Sequence, residues 1–468
     1  MQPLIGALCL LLICSATFDV EAAAGQGDTR SLSIEEFVTL VTANDTVFDE
    51  ILIDELKLKY RKDLLLPAKD IILAVKAQYD LFLGQKNDEP EVKLSLSKLF
   101  PFKGTELSLT YERTPSIRTD LTPSSLQFLI SQPIAQNAFG RSTKLLDKTI
   151  GVEIDVIRYQ IIEAYEDYLS VLLATYYSWY SAYEDLMISR ASYKENLKLL
   201  DNINKRRKQK IALPIDVNKV KLLVIGKRER VIALEEVYNN LTNLIQKSIR
   251  IETGRPIIPS NAFAYQEMDV DFERDYVRFQ EESRTYEILD LLEEKSSLEV
   301  AKAADDLLPS TNLLLGYKVS GEDWDLDNNE RMVFVGFSVE WPFPDEVDRA
   351  AHEVSIIDER KTKLSSQNKY IQIFTDLKNL DIAISRERKL LEIAEEKIKL
   401  SEDILKEESE NYSFGKVTLN DYIDAVNRLD VNRFNKIFRI VQMNKLMVEW
   451  LRLTDILVDR RVLRDVGR

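Results

Sequence analysis

Four stretches of the chain alternate apolar and polar residues with a period of two. In the first, Ile71, Leu73, Val75, Ala77, Tyr79 and Leu81 share one face, opposite Ala74, Lys76, Gln78 and Asp80. Leu126, Phe128 and Ile130 oppose Ser125, Gln127 and Ser131 in the second. The third sets Leu313, Leu315, Tyr317 and Val319 against Asn312, Gly316, Lys318 and Ser320, and the fourth sets Val333, Val335, Phe337, Val339 and Trp341 against Gly336, Ser338 and Glu340. Such alternation predicts strands with one apolar face, each about ten residues long, enough for a tilted strand to cross a membrane. An ordinary half-buried sheet in a soluble domain would show the same pattern.

After each strand pair the period changes to seven. Tyr165, Leu172, Trp179, Leu186, Tyr193 and Leu200 form one seam, and Tyr370, Leu377, Ile384, Leu391, Ile398, Leu405 and Tyr412 form the other. A sustained heptad seam predicts coiled-coil packing against a neighbouring helix. The stretches run over residues 141–209 and 346–412 without a proline, which at 1.5 Å per residue makes helices of about 100 Å. A companion seam is partly polar (Thr175, Ser189, Asn196; Glu387, Ser401, Glu408) and is expected to wet one face. Shorter returning helices are expected over 215–251 and 419–453.

These parts form two copies of one pattern, expected over residues 25–257 and 258–457, with 458–468 as a tail. Leu65-Leu66-Pro67 and Leu307-Leu308-Pro309 each close a helical stretch, 46–65 and 284–306, and open a strand. Proline suits that junction because it cannot continue a helix. Four strands, near 69–82, 124–133, 309–320 and 331–341, cannot close a membrane-spanning barrel alone, whereas three copies would supply twelve. The barrel expectation therefore carries a homotrimer with it. Between the first two strands lies an extra pair of extended stretches, Glu91–Phe100 and Thr105–Tyr111, around Pro101-Phe102-Lys103-Gly104. It is either a hairpin at the outer surface or an extension of the barrel wall.

Composition narrows the choice. Glycine is scarce, 14 in 468 residues, which favours long helices. A net charge of −15 argues against a nucleic-acid partner, since phosphate binding needs a basic surface. Residues 1–24 have the form of a secretory signal: Leu4 to Ile13 is apolar, and Ala22-Ala23-Ala24 offers small residues for cleavage, although Met1-Gln2-Pro3 lacks a basic residue. Both cysteines, Cys9 and Cys14, fall within it, so disulfides and thiolate metal sites are not expected in the mature chain. His352 is the only histidine, and no nucleotide-binding glycine motif occurs. No enzyme, metal site or cofactor is expected.

The order and spacing of these parts resemble the TolC-like outer-membrane efflux family. The most specific local match is Tyr412-Ser413-Phe414-Gly415 through Asp421-Tyr422-Ile423-Asp424-Ala425, which is similar to the family's periplasmic tip. The resemblance implies an α+β membrane protein: a trimeric twelve-stranded β-barrel in outer-membrane lipid, continued by a periplasmic α-helical barrel. It implies a belt from 31–45, 252–282 and 454–468, and a passive exit channel for efflux or type I secretion. The partners implied are a periplasmic adaptor and an inner-membrane pump of RND or ABC type. Asp421 and Asp424 match an acidic ring at the closed entrance, Asp216 and Tyr412 match the links that hold it shut, and Gly415 is the tip turn. Val417 stands where the family pattern often has arginine. The contrasting possibility is a structural coiled-coil protein of the cell envelope, without a pore.

Overall fold

The computed structural model describes residues 30–80, 89–114, 122–250, 256–260, 269–326 and 330–458; the expected signal at 1–24 and residues 459–468 of the tail lie outside them. The chain opens with β1 (Arg30–Leu32), α1 (Ile34–Asn44) and α2 (Thr46–Leu65), then β2 (Ile71–Asp80), β3 (Glu89–Phe100), β4 (Thr105–Arg113) and β5 (Pro123–Pro133). A short 3-10 turn, Ala138–Gly140, leads into α3 (Arg141–Lys208) and α4 (Pro214–Ile249). Next come β6 (Ile257–Pro259), α5 (Phe272–Glu282), α6 (Arg284–Asp306), β7 (Ser310–Glu322), β8 (Arg331–Glu340), α7 (Glu346–Ser413) and α8 (Leu419–Leu453). Among the described residues no helix is long and apolar enough to cross a membrane. The chain divides into two compact units.

The sheet unit comprises residues 55–160 and 285–370. Its six strands pair antiparallel in the order β2-β3-β4-β5-β7-β8. Register brings one apolar row across the whole sheet: Leu73, Leu96, Leu109, Phe128, Tyr317 and Val333. A second row runs Val75, Leu94, Tyr111, Leu126 and Val319. The opposite face is polar, through Lys93, Glu112 and Ser125 and through Ser95, Thr110, Gln127 and Lys318.

The sheet corrects the expected strand count. The extra pair at 91–111 is a full hairpin, β3 and β4, inserted between β2 and β5, so the chain contributes six strands rather than four. A closure of twelve strands from three copies was drawn from four, and that arithmetic does not carry over. The physical reason is that Val92, Leu94 and Leu96 on β3 and Leu107, Leu109 and Tyr111 on β4 extend the apolar face in register. Among the described residues the hairpin has no counterpart between β7 and β8, so comparison of the two halves passes over it.

The helical unit comprises residues 1–54, 161–284 and 371–468. The first heptad seam is buried through Leu172, Trp179 and Leu186, and the second through Leu377 and Ile384. The companion positions depart from expectation. Ser189, Asn196, Glu387 and Ser401 are buried rather than wetted. Arg439 donates to Glu387 at 3.0 Å, Asn432 Nδ2 donates to Ser401 Oγ at 2.6 Å, and Asn196 Nδ2 donates to the Ser192 carbonyl at 2.8 Å. Asn196 Nδ2, Glu387 and Ser401 are tolerated in such a seam because each has a partner on the same or the next helix.

Short elements pack on this unit. β1 pairs in parallel with β6, and Ser33 caps α1 by accepting from the Glu36 amide. The aromatic cluster on α3 is packing: Tyr176 lies 5.2 Å from Phe37 and donates to the Leu32 carbonyl, while Trp179 donates to Thr242 Oγ1 and stacks on Tyr238.

Candidate gate at the helix turns

Two turns in the helical unit reverse the long helices. At the first, α3 ends in a left-handed residue, Lys210, at φ 61°. The Ile211 amide donates to the Arg206 carbonyl and the Lys210 amide to the Arg207 carbonyl, both at 2.9 Å, which is a Schellman closure. Pro214 then opens α4, and the Asp216 carboxylate accepts from the Leu213 amide at 3.1 Å. The proline supplies a preset φ where its missing N–H costs no helical bond.

The second turn repeats the backbone with other residues. Gly415 takes φ 72°, the Lys416 amide donates to the Asn411 carbonyl at 2.9 Å, and the Gly415 amide donates to the Tyr412 carbonyl at 3.1 Å. Thr418 caps α8, and Asp421 Oδ2 accepts from both the Thr418 amide (2.9 Å) and hydroxyl (2.7 Å). These bonds hold the Asp421 carboxyl below its ordinary range, the hydroxyl contributing most. Asp421 is thus a capping group as well as an exposed charge. Asp424, one turn on, is exposed and makes no ion pair or hydrogen bond among the described residues.

The turns lie side by side. Lys219 Nζ donates to Asn420 Oδ1 at 3.2 Å, joining the second turn of α4 to the first turn of α8. Beneath them Leu199, Ile203, Val217, Val220, Val224 and Leu419 form a buried cluster, with half-buried Tyr412 and Tyr422 against it. Tyr412 stacks on Tyr422 with ring centroids 5.7 Å apart, and the Arg206 guanidinium sits 4.8 Å from the Tyr412 ring centre. Burial, and then the charge of Asp216, raise the Tyr412 phenol above its ordinary value, while Arg206 opposes them. Within the chain Asp216 accepts from the Leu213 amide, and among the described residues no Tyr412–Asp216 hydrogen bond forms. Arg206, from the basic run 205–210, supplies the tyrosine's cationic neighbour. Ile211, Leu213 and Ile215 at the first turn and Phe414 at the second stand exposed.

Above the turns lies a polar link that the sequence reading passed over. Asp430 on α8 is buried, accepts from Lys227 Nζ of α4 at 2.6 Å, and accepts from the Ser192 hydroxyl of α3. The signal was present: Lys227 follows Val220, and Asp430 follows Ile423, by one heptad, so both charges occupy seam positions. Removing either partner of such a buried pair would leave the other charge uncompensated. A second link had no periodic signal. Arg284, fully buried, donates to Glu163 at 2.8 Å, to Glu166, and to the Val458 carbonyl at 2.9 Å. Glu163, Glu166 and Asp455 have the spacing of a metal site, yet the Arg284 guanidinium already supplies their countercharge.

No family model matches the sequence, and no curated relative matches it. Solved structures do match. The CusC channel superposes with a TM-score of 0.70 at 11% identity, covering 94% of this chain and 99% of that one. The VceC outer membrane protein of Vibrio cholerae gives 0.68 at 10% identity over 89% of this chain and 95% of that one. The CmeC outer membrane channel of Campylobacter jejuni gives 0.68 at 12% identity over 97% and 95%. The chain has the fold of the TolC-like outer-membrane channels.

Proposed function

We propose that three copies of this chain form a passive exit duct in the outer membrane of a Gram-negative cell, its helices extending into the periplasm. The observation that carries the reading is the sheet: a continuous apolar face ended by two edges, β2 and β8, that have no strand partner among the described residues. In lipid an open edge leaves backbone groups unsatisfied, so such a sheet must close with further copies. The helices support the same assembly. Ile225 and Ile232 on α4, and Ile393 and Leu400 on α7, are exposed at heptad spacing and offer seams to a second copy. The duct runs no chemistry of its own and binds no cofactor; an inner-membrane pump, of RND or ABC type, supplies the energy through a periplasmic adaptor. The exposed apolar residues and basic run at the turns offer that adaptor a docking rim.

Asp421 and Asp424 from three copies ring the entrance with carboxylates, favouring cations. Asp216 and Tyr412 link neighbouring helices and bias the entrance closed. A phenol–carboxylate bond contributes about 1–2 kcal/mol, so a few such bonds bias a gate without locking it. Val417, standing where an arginine would add to the link, makes this gate lean on the Arg206–Tyr412–Tyr422 stack. The test is conductance of reconstituted trimers: Asp216→Ala with Tyr412→Phe raises it severalfold, and unchanged conductance contradicts the gate assignment.

A further inference from the structure

We propose that the inserted hairpin β3–β4 is part of the barrel wall, so that three copies close an eighteen-stranded barrel with a correspondingly wide exit. This rests on the duct reading above and deepens it. Three observations carry it.

The first is register. β2 pairs with β3 along its whole length, from Ile71↔Lys98 to Ala77↔Val92 and beyond, and β4 pairs with β5 from Leu107↔Ile130 to Tyr111↔Leu126. β2 and β5 therefore lie two strands apart. The apolar rows pass through β3 and β4 without a break, so the hairpin faces lipid where its neighbours do. Folded away from the wall, it would expose Leu94, Leu96, Leu109 and Tyr111 and interrupt the apolar band.

The second is the fit of its turn. Gly104 and Gly140 both take positive φ, 69° and 75°. A Cβ on Gly104 would meet the Pro133 ring at 2.7 Å, and one on Gly140 would meet the Phe102 backbone at 2.5 Å. Thr105 Oγ1 donates to Gln132 Oε1 at 2.5 Å, and Gln132 Nε2 donates to the Lys103 carbonyl at 2.9 Å. At the opposite end buried Arg113 donates to the Pro90 carbonyl at 2.9 Å and stacks 4.8 Å from the Trp324 ring centre. The hairpin is thus fastened at its turn to β5 and to the 3-10 turn, and at its other end to itself and to the β7–β8 connection.

The third is parity. Six alternating strands leave β2 and β8 pointing in opposite directions, so β8 of one copy meets β2 of the next antiparallel, as a closed barrel requires. Barrel diameter grows about linearly with strand number, and barrels of 16–18 strands hold an aqueous channel. At equal tilt, six strands per chain give an exit about one and a half times as wide as four would. The exit then admits bulkier solutes than a twelve-stranded wall of the same tilt.

The native cysteines, Cys9 and Cys14, both precede the described residues, which leaves the sheet free for engineered pairs. Intact protein carrying Val75→Cys with Leu94→Cys, oxidised in outer membranes, is expected to crosslink almost completely within each chain. Val75→Cys with Leu126→Cys, level in the sheet but about 14 Å apart, is expected to give none. Leu73→Cys against cysteines walked along β8 from Val333 to Val339 should yield trimers on denaturing gels. End-on electron micrographs of those trimers should show the wider barrel. Efficient Val75–Leu126 crosslinking in membranes that still contain trimers overturns the wide wall and leaves the duct standing. Absence of any β2–β8 crosslink, with the protein outside the outer membrane, overturns both.

Discussion

The turn between α3 and α4 and the turn between α7 and α8 share a backbone and differ in how their residues support it. Both close by the same pair of amide–carbonyl bonds, and both have an aspartate at the third helical position accepting from the cap amide. The second uses glycine at its left-handed position and a threonine cap whose hydroxyl engages Asp421. The first places Lys210 at φ 61° and Leu213, which has no side-chain acceptor, at the cap. A side chain in the left-handed region costs about 1–2 kcal/mol, so the first turn is the weaker of two equal shapes. A gate built from such a pair would loosen at the α3–α4 turn before the α7–α8 turn.

That asymmetry can be broken from either side. The largest effect is expected from Gly415→Ala, which puts a Cβ on the left-handed position of the second turn. Nothing lies within 4 Å of that Cβ, so the loss of about 1–2 kcal/mol is conformational alone. Hydrogen exchange at the end of α7 should rise toward that at the end of α3; unchanged exchange would show that glycine is not what distinguishes the turns. Lys210→Gly should act in the opposite sense, slowing exchange at the end of α3 by about 0.5–1 kcal/mol once the glycine's freedom in the unfolded chain is offset. Faster exchange there would mean that Lys210 contributes a contact worth more than its strain.

The smallest effect is that of acid. Asp421 has its carboxyl lowered by the Thr418 hydroxyl and amide, so its contribution is complete above the ordinary value of 3.8 and fades as pH falls below it. Acidification from pH 5 toward 3 should therefore loosen the α7–α8 turn, and Asp421→Asn should flatten the response. A response that survives Asp421→Asn would move its source to another carboxylate.

Much of this molecule was legible because its periods are long. The two heptad seams define α3 and α7, whose observed ends, Lys208 and Ser413, fall within a residue of 209 and 412. Period-two alternation likewise marked β2, β5, β7 and β8. The β3–β4 hairpin was visible as extended chain but could not be placed, because alternation gives the faces of a strand and not its neighbours. Only the pairings Leu73↔Leu96 and Leu109↔Phe128 show where it lies. At the turns, the left-handed role of Lys210 could be inferred from its match with Gly415. The capping bonds of Asp421 could not be separated from a free charge, since an aspartate in the first turn of a helix serves either purpose. Arg284 escaped notice for a plainer reason: its partners, Glu163, Glu166 and Val458, lie more than a hundred residues away in sequence.

The account stands on the chain forming a pore. The most direct measurement is single-channel recording of the purified full-length protein in a planar bilayer, paired with a check for heat-sensitive trimers. The account predicts small, discrete, cation-preferring conductance from trimers, with the cation preference reduced by Asp421→Asn together with Asp424→Asn. Trimers that insert and never conduct, even in the Asp216→Ala, Tyr412→Phe background, would contradict it.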